Sequence, residues 1–248
     1  MSVIDTFNGA LTLNQRVFSE MRDAPDGVHR GFLIILLVGL LVGVIQSASA
    51  LITSASPDQT VAAFVIGYRE AIEQQQQTAT TPEQREVLQL FEESTDELAA
   101  MVRELVTLPT LLPRPISLFL QALGQTVSRP LEYLSDMLLA VILTHIAARQ
   151  LGGQGGIRAM VAVGSLSVAP HALDALTFIP VLNLPISIIA WGWGLIVLIT
   201  GTAVVHRLDT GKATLAVLLY PSLLIILSIL LSCILLIGLV SLSAGLGA

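Results

Sequence analysis

Several stretches of this chain are too long and too apolar for any seat but the interior of a membrane. The clearest is Gly31–Ile52, where Gln46 and small hydroxyl residues are the only polar side chains. A helix rises ~1.5 Å per residue, so ~20 such residues cross the ~30 Å hydrocarbon core of a bilayer. Leu131–Gln150, Met160–Phe178, Ile186–Val205 and Ala213–Leu242 read the same way. The last is long enough for tilt or a frayed end rather than a sixth crossing. In hydrocarbon every backbone polar group must be bonded within the protein, which makes such runs helical. The expected class is all-α, a polytopic membrane protein with five transmembrane helices. Charge agrees, since 12% of the 248 residues are charged against roughly 25% in soluble domains.

Between the first two spans the composition changes. Over 54–115 two helix starts are legible, Ser56-Pro57-Asp58-Gln59 and Thr81-Pro82-Glu83-Gln84, each a hydroxyl cap followed by proline where no N–H is needed. Val61, Phe64, Val65, Tyr68 and Ile72 follow the first start at helical spacing. Val87, Leu88, Phe91, Leu98, Val102 and Leu105 follow the second, after the polar tract QQQQTATT. The expectation is an αα-hairpin outside the bilayer, its stripes buried on each other or on a partner. Phe64, Tyr68, Phe91 and Leu98 are the residues of that possible partner surface. The stretch 116–130 is proline-flanked and short, and reads as an interfacial or re-entrant segment leading to a kink at Pro130.

Orientation follows from Lys and Arg in the short loops. Residues 1–30 carry Arg16, Arg22 and Arg30, the glycine-rich turn LGGQGG is flanked by Arg149 and Arg158, and the loop HRLDTGK carries Arg207 and Lys212. The proline-flanked turn PVLNLP before the fourth span has none, and neither has the tail. This predicts a cytoplasmic N-terminus, an extracytoplasmic hairpin and an extracytoplasmic C-terminus. The first apolar run is too long for a signal peptide and lacks a clear exit site, so it is expected to be retained. In 1–30, Thr12 and Gln15 fit a capping box, and Leu13, Val17 and Met21 share one face with Phe18 beside them. That amphipathic helix fits either the membrane surface or the protein's own loops.

Chemistry-bearing residues are few. Glu132 and Asp136 stand four apart, on one helix face, beside Arg129. His145 and Arg149 repeat the spacing at the other end of that span. His171 and Asp174 follow Pro170, which removes a helix hydrogen bond. Ionisable groups inside spans are costly and default to a functional reading. Here each pair fits a structural role as well, either an ion pair at the interface or a His–Asp link between helices. The glycines of LGGQGG make no phosphate loop, because no strand precedes them and no Gly-Lys-Ser/Thr follows. Trp191 and Trp193 suit an aromatic belt. The single cysteine, Cys233, excludes an intrachain disulfide and a multi-cysteine metal site. No catalytic set, cofactor site or metal site is expected, and scattered basic residues argue against nucleic acid as a partner.

Three segments resemble the bacterial branch of the Yip1-domain membrane proteins. They are TLNQRVFSEMRDAP before the first span, THIAARQLGGQGGIRAMVAVGSLSVAP with Pro170, and VVHRLDTGKATLAVLL opening the last span. Together they cover 12–30 and about 131–230, and leave the hairpin outside. The resemblance implies a five-helix domain with its N-terminus inside, here completed by 31–53 and 131–248, in a bacterial cytoplasmic (plasma) membrane. It supplies no biochemical activity. Eukaryotic relatives are tied to vesicle trafficking and Rab-type GTPases, and nothing in these residues carries that role over.

Two functions from different classes remain. The first is a non-enzymatic scaffold or accessory subunit, contacting membrane lipids and a protein partner or a second copy. The second is a small-ion or small-solute permease using Glu132, Asp136, His171 and Asp174.

Overall fold

The computed structural model describes residues 2–53, 57–108 and 112–246. Every regular element among them is a helix. The order is α1 (Val3–Leu11), α2 (Gln15–Asp23), α3 (Gly27–Thr53), α4 (Pro57–Thr78), α5 (Pro82–Glu93), α6 (Thr95–Thr107), α7 (Arg114–Gln150), α8 (Ile157–Gly164), a 3₁₀ helix (Ser165–Leu176), α9 (Pro180–His206) and α10 (Thr210–Leu246). Five of these stretches are long and apolar enough to cross a membrane: Gly27–Ile52, Pro115–Gln150, Ile157–Leu176, Val181–His206 and Thr210–Leu235. The all-α, five-span class expected from the sequence is the one found. The chain divides into two compact units, Met1–Gly43 with Thr126–Ala248, and Val44–Gln125.

In the first unit, the N-terminal segment holds two helices rather than one. Ser2 and Asp5 form a capping box that starts α1. Thr12 ends that helix, its hydroxyl donating to the Asn8 carbonyl at 2.9 Å. The cap of α2 is Asn14, which accepts from the Arg16 N–H at 3.1 Å. The expected Thr12–Gln15 box therefore gives way to a cap two residues later, after Leu13 reverses the chain at φ 55°. Val17, Phe18 and Met21 are buried as one face, and α2 packs on α8 and α9. Arg22 donates to the Val204 carbonyl at 3.2 Å, and Arg158 donates to the carbonyl of Pro25. Hydrogen bonds from Arg30 and Arg22 hold the Asp26 and Asp23 carboxyls below their usual range.

Two long helices of this unit meet through a small-residue stripe. A side chain at Gly39 would stand 2.5 Å from the Pro130 Cα, and one at Gly43 would stand 2.9 Å from Thr126. Gly39 and Gly43 form a Gly-x-x-x-Gly motif, which lets apolar helices approach backbone to backbone. The stretch 116–130, read from the sequence as a separate segment, continues without a break through Pro130 into the second span. PVLNLP likewise belongs to a helix: Pro180 stands at its first turn and Pro185 inside it.

The second unit contains the hairpin, built from three helices. The Thr81 start is present as expected, with Gln84 N–H donating to the Thr81 hydroxyl at 3.3 Å. Ser56 and Pro109 lie outside the described residues. The second helix of the expected pair is broken at Ser94, for a reason that lies partly elsewhere in the chain. The Phe91 carbonyl accepts from the hydroxyls of Ser94 (2.9 Å), Thr95 (3.4 Å) and Tyr68 (3.2 Å). Hydroxyls competing for a backbone acceptor interrupt the helical ladder. Phe64 stacks on Tyr68 at 5.8 Å, and both are half-buried, as is Leu98. Helix α4 covers α5 and α6.

Replacing Gly39 by leucine is expected to destabilise the protein by ~1–3 kcal/mol through overpacking. Gly67→Ala on α4, where the added methyl meets open space, is expected to shift stability by at most ~1 kcal/mol, upward. Thermal unfolding of both variants in detergent checks the pair, and equal behaviour would remove the close approach of α3 and α7 from the account.

Candidate functional site

The third span determines where the polar residues go. Its first two turns are α-helical, and from Ser165 the backbone tightens to a 12-residue 3₁₀ helix. Runs of more than 3–4 residues in that form are uncommon. Two local features support it here. Pro170 cannot make the α-helical bond to Leu166. The Ser165 and Ser167 hydroxyls donate to carbonyls three residues back, Ala162 and Gly164, each at 2.7 Å. The tighter helix also reaches further. At ~1.5 Å per α residue and ~2.0 Å per 3₁₀ residue, 20 residues cover roughly 36 Å, enough for the bilayer core.

Side chains three apart eclipse in a 3₁₀ helix, which stacks His171 directly against Asp174. The His171 Nδ1 lies 2.8 Å from Asp174 Oδ2, and the Tyr133 hydroxyl of α7 donates to the same oxygen at 2.8 Å. A carboxylate only accepts, so Nδ1 carries the imidazole proton. The Tyr133 and His171 rings lie 5.3 Å apart. Behind them, Pro170 leaves the Ser167 carbonyl without its 3₁₀ donor, and Gly194 of α9 comes against that carbonyl. A Cβ at Gly194 would stand 2.9 Å from it and 3.5 Å from the His171 Nε2.

These residues wall a cavity of about 230 Å³ between α7, the 3₁₀ helix, α9 and α10. Asp136, Tyr133, His171, Asp174, Trp191 and Tyr220 supply its polar and aromatic lining. Of the five ionisable residues singled out in the sequence, three therefore converge: Asp136, His171 and Asp174. Glu132 does not join them, being paired with Arg129 at 2.8 Å.

His145 belongs to a second constellation at the glycine-turn end. Its Nδ1 lies 3.1 Å from the Nε2 of His206, a fully buried residue. The Gly155 N–H donates to the His206 Nδ1 at 3.2 Å. A backbone N–H only donates, so a neutral His206 carries its proton on Nε2 and gives it to His145. The glycines of LGGQGG make room for this. A Cβ at Gly153 would come within 2.6 Å of the His206 Nδ1, and Gly152 turns the chain at φ +92°. Among the described residues no group of three His, Cys, Asp or Glu is placed to hold a metal ion.

Sequence reasoning missed Tyr133, Tyr220, Gly194 and His206. For Tyr133 a signal existed, because Met137, Ala140, Val141 and Thr144 continue its face at helical spacing and are all buried. For Tyr220 and His206 the partner lies on another span, and spacing along one helix carries no trace of it.

The hydrogen bond between α7 and the third span is testable by a double-mutant cycle. Tyr133→Phe and Asp174→Asn are each expected to lower thermal stability, with a coupling of ~0.5–3 kcal/mol between them. Strictly additive losses would show that the bond does not form.

The sequence profile of the Yip1 domain matches residues 9–244. The match runs from α1 through the hairpin into α10, beyond the segments that carry the resemblance in the sequence. No curated protein and no solved structure matches the chain. With nearly its whole length covered and five apolar helices in place, the chain belongs to the Yip1 domain family of multi-pass membrane proteins.

Proposed function

We propose that this Yip1-domain protein works without catalysing a reaction, as a membrane scaffold or accessory subunit whose hairpin holds a protein partner. One observation carries the reading. Val87, Leu90 and Phe91 form an i, i+3, i+4 stripe on α5 and are 50%, 62% and 51% exposed, while the neighbouring Leu88 is buried. A groove of about 470 Å³ between α4 and α5 runs beside the stripe, with Val87, Leu88 and Phe91 in its wall. An apolar stripe along a groove suits an amphipathic helix of another protein. The ten acids and four arginines of the hairpin favour a basic one.

The same proposal puts the protein in a bacterial cytoplasmic membrane, with the N-terminus inside and the hairpin and C-terminus outside. Its support is the clustering of basic residues. Arg22 and Arg158 bond across to Val204 and Pro25, which joins the N-terminal segment to the helix ends carrying Arg149, Arg207 and Lys212.

A single-cysteine protein carrying Cys233→Ser and Phe91→Cys tests both parts in intact cells. A membrane-impermeant bifunctional maleimide is expected to reach residue 91 and to crosslink one protein at near-equal amount. Phe91→Asp is expected to lose that protein on purification while remaining inserted. Failure of the reagent to reach residue 91 overturns the orientation, and a partner retained by Phe91→Asp overturns the scaffold reading.

The cavity favours the second reading, a permease for a small ion or solute, because it gathers Asp136, His171 and Asp174 within the spans. Asp174→Asn is then expected to abolish flux in proteoliposomes while the protein stays folded. Unchanged flux would dismiss transport through this site.

A further inference from the structure

We infer that the cavity between α7, the 3₁₀ helix, α9 and α10 is a binding site for an alkylammonium group, carried by a small free amine or by a lipid headgroup. The inference stands on the cavity alone and needs neither the scaffold role nor transport.

Charge is the first argument. The lining holds two carboxylates, Asp136 and Asp174, one histidine, His171, and no Lys or Arg. The nearest cation on α7, Arg129, is held by Glu132 at 2.8 Å. Asp174 is engaged by Tyr133 and His171. Asp136 has no hydrogen-bond or ion-pair partner among the described residues, although it faces this cavity. A carboxylate within a span calls for a counter-charge.

The walls narrow the class of cation. Trp191, Tyr133 and Tyr220 present aromatic rings beside the two carboxylates. Aromatic rings attract cations, and aromatic residues with carboxylates among them suit ammonium groups. A metal ion asks instead for several ligands on one point, and no His, Cys, Asp or Glu trio among the described residues provides them.

Size narrows it again. A volume of about 230 Å³ is that of roughly eight waters at ~30 Å³ each. It lies below the ~300–1,000 Å³ of pockets for drug-sized ligands. A bare ion would leave it mostly empty, whereas an aminoalkyl group of a few heavy atoms fits. The position admits both sources. Asp174 is two residues from Leu176, the last residue of the third apolar stretch, and the cavity also borders Asp136 and Tyr220.

The test uses the full chain in nanodiscs of phosphatidylglycerol, which has no ammonium group. Ethanolamine hydrochloride is titrated against sodium chloride at equal ionic strength, with tryptophan fluorescence as the readout. A saturable change is expected with ethanolamine alone, lost in Trp191→Phe and shifted at least about tenfold in midpoint by Asp136→Asn. Glu132→Gln, which alters a carboxylate outside the cavity, is expected to behave as the wild type.

In a parallel arm, phosphatidylethanolamine is added and bound lipid is counted by native mass spectrometry. Lipid retained by the wild type and lost in Asp136→Asn assigns the site to a headgroup, and a response to free ethanolamine assigns it to a soluble amine. The inference is overturned if sodium gives the same response, if Asp136→Asn matches the wild type, or if both arms are silent in protein that remains folded.

Discussion

A proline inside an apolar helix has no N–H to donate, and two close helix approaches in this protein lie beside such prolines. Gly39 of α3 lies against Pro130 and Gly43 against Thr126, one turn before it. Pro170 cannot bond the Ser167 carbonyl within the 3₁₀ helix, and Gly194 of α9 lies against Ser167. In each case a glycine on the facing helix lets backbone meet backbone, with Cα–H groups near the carbonyl oxygen. Proline and glycine, poor residues for a helix in water, therefore act as a matched pair between spans.

The glycine-turn end of the bundle is joined by a different chemistry. There the contacts are polar and run to backbone atoms: Arg22 to Val204, Arg158 to Pro25, Gly155 to His206. Helix ends carry carbonyls and N–H groups that no helical partner takes up. At this end arginines, a histidine and a glycine-rich turn satisfy several of them, and α2, with Phe18 and Met21 buried, packs on α8 and α9. The apolar face of α2 is thus covered by the chain's own spans. The spans are held by close packing in their middle and by hydrogen bonds at one end.

Features set by a few neighbouring residues are legible in the amino-acid sequence alone. Five apolar runs, the Thr81 cap and the grouping of basic residues at one set of helix ends all belong to that kind. What escapes depends on residues far apart in the chain. Ser94 breaks a helix partly because the hydroxyl of Tyr68, 26 positions earlier, takes part in holding the Phe91 carbonyl. Asp136 and Glu132 share a face by spacing, yet one lines a cavity and the other pairs with Arg129. His145 has a partner in Arg149 by spacing, but its ring bonds His206, 61 positions away. Asn14 against Thr12 is the exception, a local choice decided by where α1 ends.

The site depends most on the departure of the third span from α geometry. A 3₁₀ residue turns the chain by ~120° where an α residue turns it by ~100°, so ten residues from Gly164 to Asp174 accumulate roughly 200° of extra rotation. An unbroken α-helix would present Asp174 on nearly the opposite side of the span, away from Tyr133. It would also set Asp174 about 5 Å lower along the axis. Pro170 and the two serines, which look like minor irregularities in an apolar run, are thus what bring a carboxylate to α7. The cavity, its two acids and its aromatic walls arise from the same local change in helix type. A Pro170→Ala chain free to relax to α geometry would lose the Tyr133 link and the cavity together.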